Sequence, residues 1–255
     1  MTSEPIPVLL YHGTPRGRSD DRLSVTFELF RSHLRAMVCA GRTPVTIGEL
    51  AAGLRAEVPM PARPLAVTFD DGHADNEAAL DALACEGLRA TLYMTSGFLG
   101  RPGMLTSAQL AALAQAGPFE IGAHSVTHPR LDELDPMRLR TEITHSRDRI
   151  EQLCGRRVGS FAYPYGAYDR AVKQAVADAG FSSAAAVKNA LSHTQDDPLA
   201  IARWTVSAKT SSAEVARVLE GEGVPLAWRR ERLRTRGYRV ARRARRHFER
   251  ARQSC

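Results

Sequence analysis

The chain has 255 residues, 44% hydrophobic and 25% charged, which fits one large domain or two small ones with a buried core and excludes a disordered chain. Its formal charge of +7 is concentrated at one end: from Trp228 to Cys255 there are 12 Arg against 2 Glu, a net +10, leaving −3 for the other 227 residues. No run approaches the roughly 20 apolar residues of a membrane-spanning helix, and Cys39, Cys85, Cys154 and Cys255 form no CxxC, which sets aside a cysteine zinc site or disulfide framework.

In chain order, the opening "MTSEPIPVLLYHG" lacks a basic n-region, and its apolar run is too short for a signal-peptide core, so a cytoplasmic location is expected. Short apolar runs then alternate with helical patterns. Strands are predicted at 7–11, 65–69, 90–95, 119–123, 159–163, 181–187 and 200–206, with helices at 26–40, 77–86, 107–116, 136–154, 168–179 and 212–220. "TSAQL" and "LDPMRL" read as helix starts, the latter an aspartate cap before a proline, while "AGP" and "AGF" place glycine at helix exits. Strands alternating with helices imply parallel pairing, and about seven such units favour a closed α/β barrel over an open sheet.

The expected organisation is a barrel domain over 1–225 and an arginine-rich tail over 226–255. Loosely helical spacing of Leu233, Tyr238, Val240, Ala241, Ala244 and Phe248 suits a basic amphipathic helix. Two readings of that tail stand side by side: a solvated terminus, or peripheral contact with an anionic membrane. Nucleic acid is not expected, because the body of the chain has no recognition motif or aromatic platform to accompany the charge.

His12, the pair Asp70 and Asp71, His124, and "YPYG" at 163–166 all follow predicted strands directly, at the barrel edge where active sites are built. Adjacent carboxylates repel and raise each other's pKa, so Asp70 beside Asp71 requires a compensating positive charge, which a bound cation would supply. "GAHSVTHPRL" offers His124 and His128, four apart, so that on a helical turn both imidazoles would face the same way. Histidine pairs also occur as surface or capping residues; the acidic pair at another strand end is what favours a metal. Two histidines and one carboxylate make the open three-ligand set of catalytic zinc, the neighbouring carboxylate being free to act as a base.

"TFDDG" at 68–72, "HSVTH" at 124–128 and "YPYG" at 163–166, in this order, resemble the signature of polysaccharide deacetylases, the NodB-homology or carbohydrate esterase family 4 enzymes. The resemblance covers roughly 6–210. It implies a distorted (β/α)7-type barrel, one divalent metal (zinc first, with cobalt, nickel or manganese as alternatives), and hydrolysis of an N-acetyl group on a sugar. Position by position, it makes Asp70 the base and Asp71, His124 and His128 the metal ligands, with the backbone N–H of Tyr165 as oxyanion donor.

Two departures qualify the resemblance. Many members carry an arginine two residues before the proline of the third motif, where this chain has Ala162; Arg203 in "AIARWTV" is the candidate replacement for its support of the base. The acid histidine of a late L-x-H motif matches "LSH" at His193, yet "LLYHG" is similar to the start of a permuted subgroup whose acid histidine comes first, which favours His12 with His193 as the alternative. Tyr163, Arg203 and Trp204 are the candidates for substrate contact, and Asp75 or Asn76 is expected to cap the helix after the acidic pair. The function this implies is N-deacetylation of an amino sugar made as a saccharide, glycolipid or small-molecule intermediate. Its rivals are a deacylase of a non-sugar amide and a saccharide-binding module without turnover.

Overall fold

The computed structural model describes residues 5–227. Among them the chain runs β1 (Pro5–Ile6), β2 (Val8–Tyr11), α1 (Phe27–Cys39), β3 (Thr43–Val45), α2 (Ile47–Leu54), β4 (Pro64–Phe69), α3 (Asn76–Cys85), β5 (Ala90–Met94) and α4 (Ser107–Gln115). It continues through β6 (Phe119–Ala123), α5 (Pro136–Cys154), β7 (Ser160–Ala162), α6 (Arg170–Asp178), β8 (Ser183–Val187), β9 (Ser192–His193), β10 (Ile201–Thr205) and α7 (Ser212–Leu219). β2, β4, β5, β6, β7, β8 and β10 pair in parallel, and the β10–β2 and β2–β4 pairings close them into a seven-stranded barrel. Those are the seven predicted strands, and the six predicted helices are also present, each boundary within two residues.

β1, β3, α2 and β9 are additions that the alternation did not predict. β3 pairs with Pro64 to Ala66 of β4, while β5 pairs with Thr68 and Phe69 further along the same strand, so the two share one edge of β4 at successive positions. α2 starts on a capping box between Thr46 and Glu49 and packs Ile47, Leu50 and Ala51 against Val8, Ala66, Ala185 and Ile201 inside the barrel. Its first N–H groups are received by Thr91 Oγ1 and Glu120, so the short helix plugs the end opposite the catalytic edge. β9 pairs antiparallel with β1 at that same end.

Strand side chains alternate between two faces with a period of two. Leu9 and Tyr11, Leu65, Val67 and Phe69, Leu92 and Met94, and Phe161 and Tyr163 face the helices and form the larger core. Val8, Ala66, Tyr93, Ala162, Ala185 and Ile201 face inward. The inward positions are mostly small because Tyr93 and Arg203 fill the centre; a Cβ at Gly122 would stand 2.5 Å from the Tyr93 ring. Continuing the same parity past the strand ends puts His12, Asp70 and His124 on the inward face, in line with Leu10, Thr68 and Gly122.

Thr106 and Asp135 cap α4 and α5 as expected. Asp75 does not cap α3: it sits at the N-cap position without a capping bond, and its carboxylate accepts the Thr14 N–H at 2.8 Å. Asn76 Nδ2 donates to the His12 carbonyl at 2.8 Å, so both residues tie the loop after β2 to the loop after β4. The tail from Trp228 lies outside the described residues. No described helix is long and apolar enough to cross a membrane.

Candidate active site

The acidic pair is parted by a tight turn centred on Asp71 itself. Gly72 N–H donates to the Asp70 carbonyl at 3.0 Å across Asp71, whose φ is 73°, a γ-turn of the rare, strained hand. Asp70 therefore stays on the inward face while Asp71 swings to the rim. Gly72 continues at φ 87°, and a side chain there would collide with Met94.

Arg203 reaches Asp70 from β10 across the barrel. Its Nη1 donates to Asp70 Oδ1 at 2.6 Å and its Nη2 to Oδ2 at 2.8 Å, and Nη1 also reaches Thr68 Oγ1 at 3.2 Å. Both partners are buried. Burial pushes the Asp70 carboxyl up, and the charge and paired hydrogen bonds of the Arg203 guanidinium more than offset it, holding the group below the usual carboxylate range. An ionised carboxylate thus faces the centre of the site.

His124 and His128 do not share a helical turn as their spacing suggested. The loop after β6 bends through Ser125 at φ 65° and His128 at φ 60°, and this brings the imidazoles together. Ser125 Oγ accepts the His128 N–H at 3.0 Å, and the Glu142 carboxylate of α5 accepts the N–H groups of Val126 and Thr127 at 2.8 Å and the Thr127 hydroxyl at 2.6 Å. Asp71, Ser125, His128 and Tyr165 are four of the seven non-glycine residues with positive φ among those described. Each such residue costs of order 1–3 kcal/mol, which only a well-bonded surrounding can hold in place.

His124 Nδ1 donates to the Ala162 carbonyl at 2.8 Å, which turns Nε2 toward the site. His124 Nε2 stands 3.2 Å from His128 Nε2 and 3.6 Å from Asp71 Oδ1, and His128 Nε2 stands 3.4 Å from Asp71 Oδ1. Donors about 2.0–2.1 Å from a tetrahedral zinc lie roughly 3.3–3.4 Å from one another, so this triangle has the dimensions of a metal-ligand face. Asp71 Oδ1 is buried without a hydrogen-bond partner among the described residues, the state of an oxygen reserved for a cation. Burial and the neighbouring His124 lower the His128 pKa to about 4, which keeps it neutral as a ligand must be. Burial raises the Asp71 pKa, but the contact with His73 outweighs it and the carboxylate stays ionised. Asp71, His124 and His128 therefore fit one divalent ion.

His12 directly follows β2, half-buried, with Nδ1 buried and unbonded among the described residues. Burial lowers its pKa, and the charges of Asp70 and Asp71 act the other way, which places it beside both carboxylates. His193 is removed from the site: it pairs with Pro5 at the plugged end of the barrel and its Nε2 contacts the Ala227 carbonyl at 3.1 Å. The substrate-contact expectations are corrected by the same alternation. Tyr163 is buried on the outward face, stacked on Tyr168 with its hydroxyl bonded to the Leu199 carbonyl. Trp204 packs against the outer core. Arg203 is fully buried against Asp70 and reaches no open surface. Tyr165, at φ 57°, does lie at the mouth, its exposed ring 4.5 Å from that of His128.

Sequence reasoning missed Glu142 and offered His73 only as a substrate contact or helix cap, whereas its Nε2 lies 3.7 Å from Asp71 Oδ2. Burial lowers the His73 pKa, and Asp71 more than reverses the shift. Adjacency to the "DDG" turn was the available signal for His73; Glu142, one of several charged residues on α5, had none.

A family model described as polysaccharide deacetylase matches residues 57–184, half of the chain and all three motifs. The protein YxkH of Bacillus subtilis (strain 168) is 25% identical over 216 residues, 84% of this chain and 76% of that one. Among solved structures, the Streptococcus pyogenes deacetylase PplD, in complex with acetate, superposes with a TM-score of 0.78 at 24% identity over 86% of this chain and 100% of its own. The Bacillus cereus polysaccharide deacetylase BC0361 gives 0.74 at 23% identity over 85% of this chain and 69% of its own. The two structures share the fold, and the motif-spanning match carries the assignment: this chain belongs to the polysaccharide deacetylase family.

Proposed function

We propose that the chain is a metal-dependent hydrolase that removes the acetyl group from an N-acetylated amino sugar. The observation that carries this reading is the convergence of Asp71, His124 and His128 beside an Asp70 held ionised by Arg203. A divalent ion held by those three residues, zinc first among the candidates, supplies Lewis acidity toward the acetamide carbonyl and acidifies water. Asp70 acts as the base that takes the proton from the attacking water, and Arg203 fixes its orientation and charge. The Tyr165 N–H, presented by a strained residue at the rim, donates to the developing oxyanion. His12, neutral at rest on the inward face, receives the proton that Asp70 has taken from the attacking water and delivers it to the departing amine, leaving both residues as they began. A saccharide-binding module that had lost turnover would have no use for the paired Asp70 and Arg203, so the hydrolase is preferred.

The test is acetate release from N-acetylated sugars by protein reconstituted with zinc, cobalt, nickel or manganese, beside chelator-treated protein. Asp70→Asn is expected to lower kcat by about 10²–10⁴ while retaining metal. Release from a non-sugar acetamide but from no sugar would redirect the substrate assignment. Full activity of the Asn variant would remove Asp70 from the base role.

A further inference from the structure

The mouth of the site carries two arginines with no acidic partner among the described residues. The loop after β5 presents Phe98 and Arg101, with the Arg101 guanidinium 4.7 Å from the Phe98 ring centre. Two residues beyond His128, Arg130 lies over the Tyr165 ring at 4.6 Å. Both rings contact His128, Phe98 at 6.2 Å and Tyr165 at 4.5 Å between centroids, so each guanidinium stands one ring away from a metal-ligand imidazole. Arg101 is exposed and Arg130 half-buried, and neither makes an ion pair among the described residues. Glu142, the carboxylate bonded to the neighbouring loop, is already occupied by two N–H groups and a hydroxyl.

These positions are built into the site. The Arg101 loop is pinned to the acidic turn, with Leu105 N–H donating to the Gly72 carbonyl at 3.0 Å and Ala74 N–H to the Gly103 carbonyl at 2.9 Å. Arg101 N–H closes its own turn on the Phe98 carbonyl at 3.0 Å. A mouth suited to a neutral sugar would leave ring faces bare for stacking on the pyranose. Here guanidiniums lie over both rings, and a guanidinium stacked by its face keeps its edge N–H fork for carboxylate or phosphate oxygens.

We infer that the amino sugar this enzyme takes carries an anionic substituent, a phosphate or a carboxylate, which Arg101 and Arg130 bind while the acetamide lies at His124, His128 and Asp71. The inference rests on the deacetylase reading and adds a substrate class to it. The chain apart from its tail has a net charge of −3, so this cationic rim is a local feature of the mouth.

The experiment compares kcat/KM for acetate release from N-acetylglucosamine, its 1-phosphate and N-acetylmuramic acid. It uses the wild type, the double variant Arg101→Gln/Arg130→Gln, and Arg101→Lys/Arg130→Lys. The wild type is expected to prefer at least one anionic sugar over the neutral one by about tenfold or more, the Gln double variant to bring that ratio close to one, and the Lys double variant to keep part of it. Preference for only the phosphate or only the carboxylate identifies the substituent. A wild-type ratio near one for both anions, or a ratio unchanged in the Gln variant, overturns the inference and leaves the arginines as ring packing. If no sugar releases acetate, the deacetylase reading fails by itself; calorimetric Kd values for the same three sugars then decide the anion preference, equal values refuting it.

Discussion

Arg203 and Asp70 are where one side chain determines the chemistry. Removing one member of a buried ion pair leaves the other charged and uncompensated, typically a loss of about 3–5 kcal/mol. In Arg203→Met the Asp70 pKa, held low by the guanidinium, rises, so the acid limb of the kcat/KM profile is expected to move to higher pH with kcat down about 10²-fold or more. The same depressed pKa stabilises the fold above the ordinary carboxylate range and ceases to do so as pH falls through it; the variant should lose that slope in urea titrations at acid pH. Arg203→Lys, which keeps the charge but not the fork, should retain an intermediate acid limb, whereas an unshifted limb in both variants would separate Arg203 from the base. The residue was legible in sequence because Ala162 left a vacancy for a cation and "AIARWTV" offered one. Its neighbours were misread for a reason that a strand makes plain: Tyr163 and Trp204 sit at strand positions whose side chains turn outward.

At the scale of elements, the loop after β6 shows how far spacing can mislead. His124 and His128 were legible as a pair, but their convergence comes from two left-handed residues and from Glu142, which no local pattern announces. Glu142→Ala removes the acceptor for two N–H groups and one hydroxyl, and the freed loop should weaken zinc binding by about 10–100-fold, measured by competition with a chromophoric chelator. Unchanged affinity would show that Ser125 and the strand end suffice. The seven barrel strands and six helices were legible because short apolar runs alternate with helical periods, several of the helices also carrying a cap or a glycine exit. α2 was missed although "TIGE" is a capping-box pattern, since eight residues make a weak helical period. β1, β3 and β9, two or three residues each, exist only through tertiary pairing.

For the whole molecule, a barrel plugged at one end by α2 leaves the other end for chemistry, and the parity of seven strands aims His12, Asp70, His124 and Arg203 into it. The family follows from motifs that the sequence displays in order. A tail of net +10 on a body of net −3 leaves two readings, a solvated terminus or peripheral contact with an anionic membrane, and sedimentation with vesicles separates them. The full chain is expected to co-sediment with phosphatidylserine-containing vesicles and to be released as salt rises; equal sedimentation with neutral vesicles would count against this.

The central claim is that three side chains from two strand ends hold one catalytic metal. The direct measurement is metal content by mass spectrometry after zinc reconstitution and desalting, for the wild type, Asp71→Asn and His128→Ala, each checked for folding by circular dichroism. About one equivalent in the wild type and little in either folded variant is the expected result. A wild type that retains no metal, or variants that retain as much as the wild type, would contradict it.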